Sequence, residues 1–225
     1  MRARSKALLA GGALIIGLVA AAQAPQPGPP KRIDLAKSFT TGKLRAVNRE
    51  ITKPPDRPDG VHMSERQNPG LVWIEGSDFT EGAIEVDVRG RDHFQRSFIG
   101  IVFHGKDDKT YESVYLRPFN FQVQDPVRHR HALQYISVPE FDWPRLREQF
   151  PDEFERPVDA SVAPTDWVTL RVVVQERTVQ VYVGPDKTPA LAARKLGSLN
   201  RGIIGLWTGN GSDGDFANLR ITPTR

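Results

Sequence analysis

Residues 79–90 read FTEGAIEVDVRG. From Ala83 to Val88, apolar Ile84, Val86 and Val88 alternate with Glu85 and Asp87, which predicts a strand with one buried and one wet face. Working outward, Leu71–Ile74 reads as a short strand, and Phe98–Phe103, apolar on both sides, as a central one. The turn-forming Gly105-Lys106-Asp107-Asp108 separates it from a strand at Tyr111–Arg117. Val168–Val174 and Val179–Val183 flank Gln175-Glu176-Arg177, a predicted hairpin. Ile203–Trp207 and Phe216–Ile221 close the chain. One helix is predicted, at Pro144–Phe150, where proline suits a first turn. Short strands, frequent turn signals and almost no helix predict an all-β sandwich of two antiparallel sheets. Pro118–Asp166 breaks the rhythm. It is read as one long insertion, carrying the short helix and folding back over the sheet that holds Tyr115 and Arg117; ordered loops of that length tend to be functional.

The chain has 225 residues, no cysteine and a formal net charge of +4. Without cysteine there is no disulfide framework, thiolate zinc site, cysteine nucleophile or lipid-modified N-terminal cysteine. Arg2, Arg4 and Lys6 precede an apolar run, Ala7–Ala22, too short and alanine-rich for a convincing spanning helix. Residues 1–22 read as a secretory signal peptide cut after Ala22; an uncleaved anchor is the alternative. Residues 23–32 read as a proline-rich tether, and 33–225 as one domain. The leader supplies three of the four net positive charges. The remaining +1 comes with scattered arginines and no basic stripe, so no nucleic-acid partner is expected, and no membrane role beyond export. The expected location is periplasmic or secreted.

Tyr111, Ser113, Tyr115 and Arg117 share one face of their strand, with Glu112, Val114 and Leu116 on the other. Arginine offers a planar fork to sugar hydroxyls or a carboxylate, and aromatic rings stack on a sugar's C–H face. Candidate ligand-binding residues are therefore Tyr115, Arg117, Asn120, Gln134, Tyr135 and Trp143. The other reading of Arg117 is a tie holding the insertion to the sheet through backbone carbonyls. His129 and His131 read as exposed loop residues, His104 as packing, Trp73 and Trp167 as core. Asn210, Asp213 and Asp215 cluster oxygen donors around glycines, as a structural calcium requires, or as a tight turn does.

FTEGAIEVDVRG, SFIGIVFHGKDDKTYESVYLRP (residues 97–118), WVTLRVVVQERTVQVYVG (167–184) and GIIGLWTGNGSDGDFANLRI (202–221) together resemble a concanavalin A-like lectin/glucanase domain of the laminin-G-like type. Within that fold the chain is most similar to the bacterial 3-keto-disaccharide hydrolase domain family, whose Tyr-Glu strand matches Tyr111-Glu112. The resemblance implies a jelly roll with one concave, often ligand-bearing sheet, makes Glu112 a weak catalytic candidate, and favours calcium at Asn210, Asp213 and Asp215. EVDVR (85–89) resembles the catalytic strand of laminarinase-type glucanases, but Arg89 stands where an acid is needed, and arginine delivers no proton. Three function classes follow: a carbohydrate-binding or carbohydrate-processing domain, a hydrolase or lyase of 3-keto-glycosides, and a non-catalytic cell-envelope module. Whether the protein is an enzyme is left open by its residues.

Overall fold

In the computed structural model, which describes residues 27–224, the chain forms two antiparallel sheets. In chain order the first strands are β1 (Lys31–Arg32), β2 (Leu44–Val47), β3 (Ile51–Thr52), β4 (Val61–Arg66), β5 (Gly70–Ile74), β6 (Gly82–Arg89), β7 (Ile99–Asp107) and β8 (Thr110–Leu116). There follow β9 (Leu133–Val138), β10 (Glu155–Arg156), β11 (Val168–Val174), β12 (Thr178–Val183), β13 (Leu191–Arg194), β14 (Ile203–Thr208) and β15 (Ser212–Pro223). The helices are α1 (Leu35–Thr40), α2 (Pro126–Arg130) and α3 (Trp143–Gln149), with a 3₁₀ turn at Pro118–Asn120. The back sheet runs β13-β12-β11-β6-β15-β4-β3, with β1 also on β15; the front sheet runs β10-β9-β8-β7-β14-β5-β2. This is the sandwich that the strand pattern predicted.

The back sheet behaves as its alternation requires. Along β6 and β11 buried and half-buried residues alternate. Ile84, Val86, Val88, Leu170 and Val172 enter the core against Ile101, Phe103, Val114, Leu116 and Leu206 of the front sheet. The front strands do not alternate. β8 is buried at every position from Tyr111 to Leu116, and β9 from Leu133 to Ser137. Gly100, opposite Tyr115, is required there: a Cβ would collide with the Val114 carbonyl and the Tyr115 backbone.

Three expectations need correction. The insertion is not purely a cover: β9 pairs with β8 from Tyr111↔Val138 to Leu116↔Leu133, and β10 adds an edge. LQYISV shows no polar–apolar alternation because Leu133–Ser137 are buried on both faces of the strand. The signal peptide lies outside the described residues, but part of the proposed tether does not. Gly28 N donates to Pro223 O at 2.6 Å, and Lys31–Arg32 pair with β15, so this stretch runs along the back sheet. Trp167 is not core: it is half-buried, with the Arg57 and Arg89 guanidiniums 4.8 and 4.7 Å from its ring centroid. Trp73 is buried as expected. The predicted helix is α3, capped by Asp142, which accepts from Arg145 N at 3.1 Å.

Candidate ligand-binding cleft

The outer face of β8, the outer face of β9 and the insertion enclose a cavity of about 660 Å³. Tyr115, Arg117, Asn120 and Trp143 line it, so four of the six proposed binding residues meet there. Gln134 lies beneath Arg117, its Oε1 accepting from Arg117 Nη2 at 2.8 Å. Tyr135 does not face the cleft. The pleat turns successive residues to opposite faces, and the Tyr135 ring enters the core beside Phe103, donating to Glu112 and accepting from Leu196 N at 3.0 Å.

The polar floor is built around a carboxylate that the sequence did not single out. Glu155 is 4% exposed. Its Oε1 accepts from Arg117 Nη1 at 3.1 Å and Arg147 Nη2 at 2.6 Å; its Oε2 accepts from Arg147 Nε at 2.8 Å and lies 3.5 Å from His131 Nε2. Arg117 spends its remaining Nη donors on His131 O at 2.6 Å, Tyr115 OH at 2.9 Å and Gln134. All these Nη hydrogen bonds thus end on protein, as the tie reading of Arg117 requires. β10 delivers Glu155 opposite Gln134, and α3 delivers Arg147 eight residues earlier. Burial lowers the His131 pKa, against the opposing pull of Glu155. His131 therefore lines the cleft as a neutral imidazole near pH 7, not as a plain loop residue.

The apolar part is aromatic. Tyr115 and Trp207 lie 4.7 Å apart at a tilt of 35°, and Trp207 Nε1 donates to Tyr111 OH at 3.2 Å. Phe98 and Phe119 meet edge to face at 5.4 Å, and Phe119 meets Phe94 at 5.7 Å. Phe94 and Trp143 stay 55% and 47% exposed at the cleft. Arg147 lies over the Trp143 ring at 4.8 Å and Arg128 over Phe94 at 4.4 Å. Among the described residues three buried side-chain polar atoms have no partner: Asn120 Oδ1, Gln134 Nε2 and Arg128 Nε. No local pattern ties residue 155 to residue 117 or residue 94 to residue 128, so these partners were not visible in the sequence.

Glu112 is not in this cleft. Its side chain is fully buried between the sheets, with His104 Nδ1 at 3.0 Å, Lys195 Nζ at 3.5 Å and the Tyr135 hydroxyl. His104 Nε2 faces Thr80 O at 2.6 Å, so both ring nitrogens meet acceptors. His104 sits at φ 51° where β7 slips register against β8, a bulge that aims the ring inward. The EVDVR strand is β6 of the back sheet. There Asp87 accepts from Thr169 Oγ1 at 2.7 Å and Asn218 Nδ2 at 2.6 Å.

The calcium expectation fails on the donor set. Asp213 is held by Arg91, and Asp215 accepts from Arg89 Nη2 at 2.7 Å with His62 Nδ1 also at 2.7 Å. Asn210 Oδ1 accepts from Asn68 N at 2.6 Å. Cations and a backbone amide already occupy the oxygens a calcium ion would need. Among the described residues no group of three or more His, Cys, Asp or Glu side chains is placed to hold a metal.

No protein-family model matches the chain, and no curated protein matches it. Solved structures do. A Bacillus subtilis protein of unknown function with a galectin-like fold is 13% identical, covering 89% of this chain and 100% of its own, with a TM-score of 0.61. A structure described as a native glycosidic hydrolase is 10% identical over 87% of this chain and 96% of its own, with a TM-score of 0.58. The carbohydrate-binding module CBM66 from B. subtilis is 13% identical over 80% and 95%, with a TM-score of 0.56. The chain therefore has the concanavalin A-like lectin/glucanase jelly-roll fold, with its cleft against β8 and β9.

Proposed function

We propose that the protein is an exported domain that binds carbohydrate in the cleft. One observation carries this reading: the same 660 Å³ cavity joins exposed aromatic faces at Trp143 and Phe94 with the unpartnered Oδ1 of Asn120. Sugar rings offer a C–H face to aromatics and hydroxyls to buried polar atoms, which otherwise carry an uncompensated desolvation cost. The fold is shared with a carbohydrate-binding module and a glycosidic hydrolase, although a shared fold does not transmit function. The open cavity supports a ligand site over a purely structural envelope module. Export rests on the basic–apolar–small leader, and N-terminal sequencing of the mature protein should begin near Gln23.

Binding is favoured over two-carboxylate hydrolysis because, among the described residues, Asp142 is the one acid lining the cleft, and Glu155 in the floor is bound by two arginines. On a glycan array and by titration calorimetry, Trp143→Ala and Asn120→Ala should each weaken the selected glycan about tenfold, or about 1.4 kcal/mol, while the thermal transition is kept. Absence of any glycan ligand, or affinity indifferent to both changes, sinks the reading. A second reading, hydrolysis or elimination of 3-keto-glycosides, is favoured by His131, a neutral imidazole at the cleft. Turnover of 3-keto-sucrose or 3-keto-lactose that disappears in His131→Ala would establish it.

A further inference from the structure

We infer that the ligand of this cleft carries a carboxylate, as a uronic-acid unit does, and that Arg128 is its counter-ion. The inference rests on the carbohydrate reading above and adds the substrate class. Three arginines line the cleft: Arg117, Arg128 and Arg147. Two of them, Arg117 and Arg147, pair with the single carboxylate of Glu155. Arg128 is different. Among the described residues no carboxylate lies within ion-pair distance of it, whereas Arg130, two residues on, pairs with Asp152 at 3.2 Å. Among the described residues the Arg128 guanidinium has one hydrogen-bond acceptor, and the bond is long, from Nη2 to Phe119 O at 3.4 Å. Its Nε is buried and has no partner.

The cation is held in place by other means. Its guanidinium lies 4.4 Å from the centroid of the Phe94 ring, which supports it without neutralising it. Asp125 caps α2 by accepting from Val127 N at 2.9 Å and fixes the helix that carries Arg128. An arginine so placed presents a donor fork matched to the two oxygens of a carboxylate. Among the described residues Asn120 Oδ1, of another residue lining the cleft, is also without a partner and would accept from a hydroxyl of the same sugar. Arg128 has no carboxylate partner among the described residues, and an acidic sugar supplies one. The neighbouring aromatic rings would take the apolar face of the same unit.

The test is calorimetric titration with trigalacturonate and triglucuronate, each beside its carboxyl-reduced neutral trisaccharide of the same linkage. At least one acid form should bind at least tenfold more tightly than its reduced counterpart, and the advantage should shrink at 0.5 M salt, a concentration chosen to make the Debye length only about 4 Å. Arg128→Gln should bring the acid-to-neutral ratio close to one. Arg130→Gln, with the same change in net charge, should preserve it. Equal or tighter binding of the reduced forms, or an acid preference that survives Arg128→Gln, overturns the inference. Tight binding of neutral array glycans with no uptake of either acid also overturns it while leaving the carbohydrate reading intact. Failure of every glycan removes the reading beneath it.

Discussion

The two sheets use the same residue types to opposite ends. On the back sheet, charged side chains stand on a wet face and pair there: Arg89 with Asp56 and Asp215, Arg91 with Asp213, Arg66 with Glu50. On the front sheet, Arg117, Glu155 and Gln134 lie under the insertion, and Glu112 with His104 lies between the sheets, all nearly inaccessible. An exposed pair gains little, because water solvates the separated ions almost as well. A buried pair is costly to break, because the survivor keeps its charge without solvent. The front sheet has therefore committed polar groups that cannot be removed one at a time, and its cleft is built on that rigid floor.

The largest break in this comparison is Glu112→Ala. It leaves His104 and Lys195 without their carboxylate and should cost about 3–5 kcal/mol in urea unfolding. Arg117→Ala comes next, at about 3 kcal/mol, because it strips Glu155 of one arginine and Gln134 and Tyr115 of their donor. Binding should fall with it. If Arg117→Ala keeps full stability and loses only ligand, the arginine is a ligand anchor and the groups of the floor do not depend on one another.

Two histidines sharpen the contrast through pH. His62, on the back sheet, is raised above the ordinary value of 6.5, chiefly by its hydrogen bond to Asp215. A raised folded-state value contributes stability that is fully present below about 6.5 and is lost as pH rises through the higher folded value. His131, in the cleft, is lowered, chiefly by burial. The unfolded chain then takes up a proton more readily, so stability falls as pH drops below about 6.5 toward the lower folded value. Unfolding free energy followed from pH 5 to 8 should lose its alkaline decline in His62→Gln and its acid decline in His131→Gln, as far as each depends on that residue. The reverse assignment would overturn the two environments.

Smaller effects belong to the back sheet. Glu50→Ala, at a pair whose side chains are 50% and 70% exposed, should change stability by less than about 0.5 kcal/mol. Calcium should do nothing: with Asp213 and Asp215 held by arginines, added calcium should leave the melting temperature unmoved, and a concentration-dependent rise would restore the ion.

The same difference explains what could be read in advance. β6 and β11 were legible because a strand with one wet face must alternate. β9 was not, because both faces of LQYISV are buried and nothing distinguishes them by polarity. β2 and β3 are not legible either: they are four and two residues long and half exposed, too short to show a period. In the cleft, the row Tyr115–Arg117 and the nearby Asn120 and Trp143 followed from strand parity and proximity to the insertion. Tyr135 was misplaced because its strand was not recognised, so its parity was unknown.

By itself the sequence determined the two-sheet sandwich, the place of the long insertion and the face of β8 that bears its aromatics and arginine. These are properties of spacing along one chain. Only the tertiary structure decided that Glu155 sits between Arg117 and Arg147, that Glu112 faces inward to His104 and Lys195, and that Arg128 lies over the Phe94 ring with no carboxylate partner among the described residues. A charge is answered or left open by what folding brings within a few ångströms, and those neighbours come from segments up to 83 residues away.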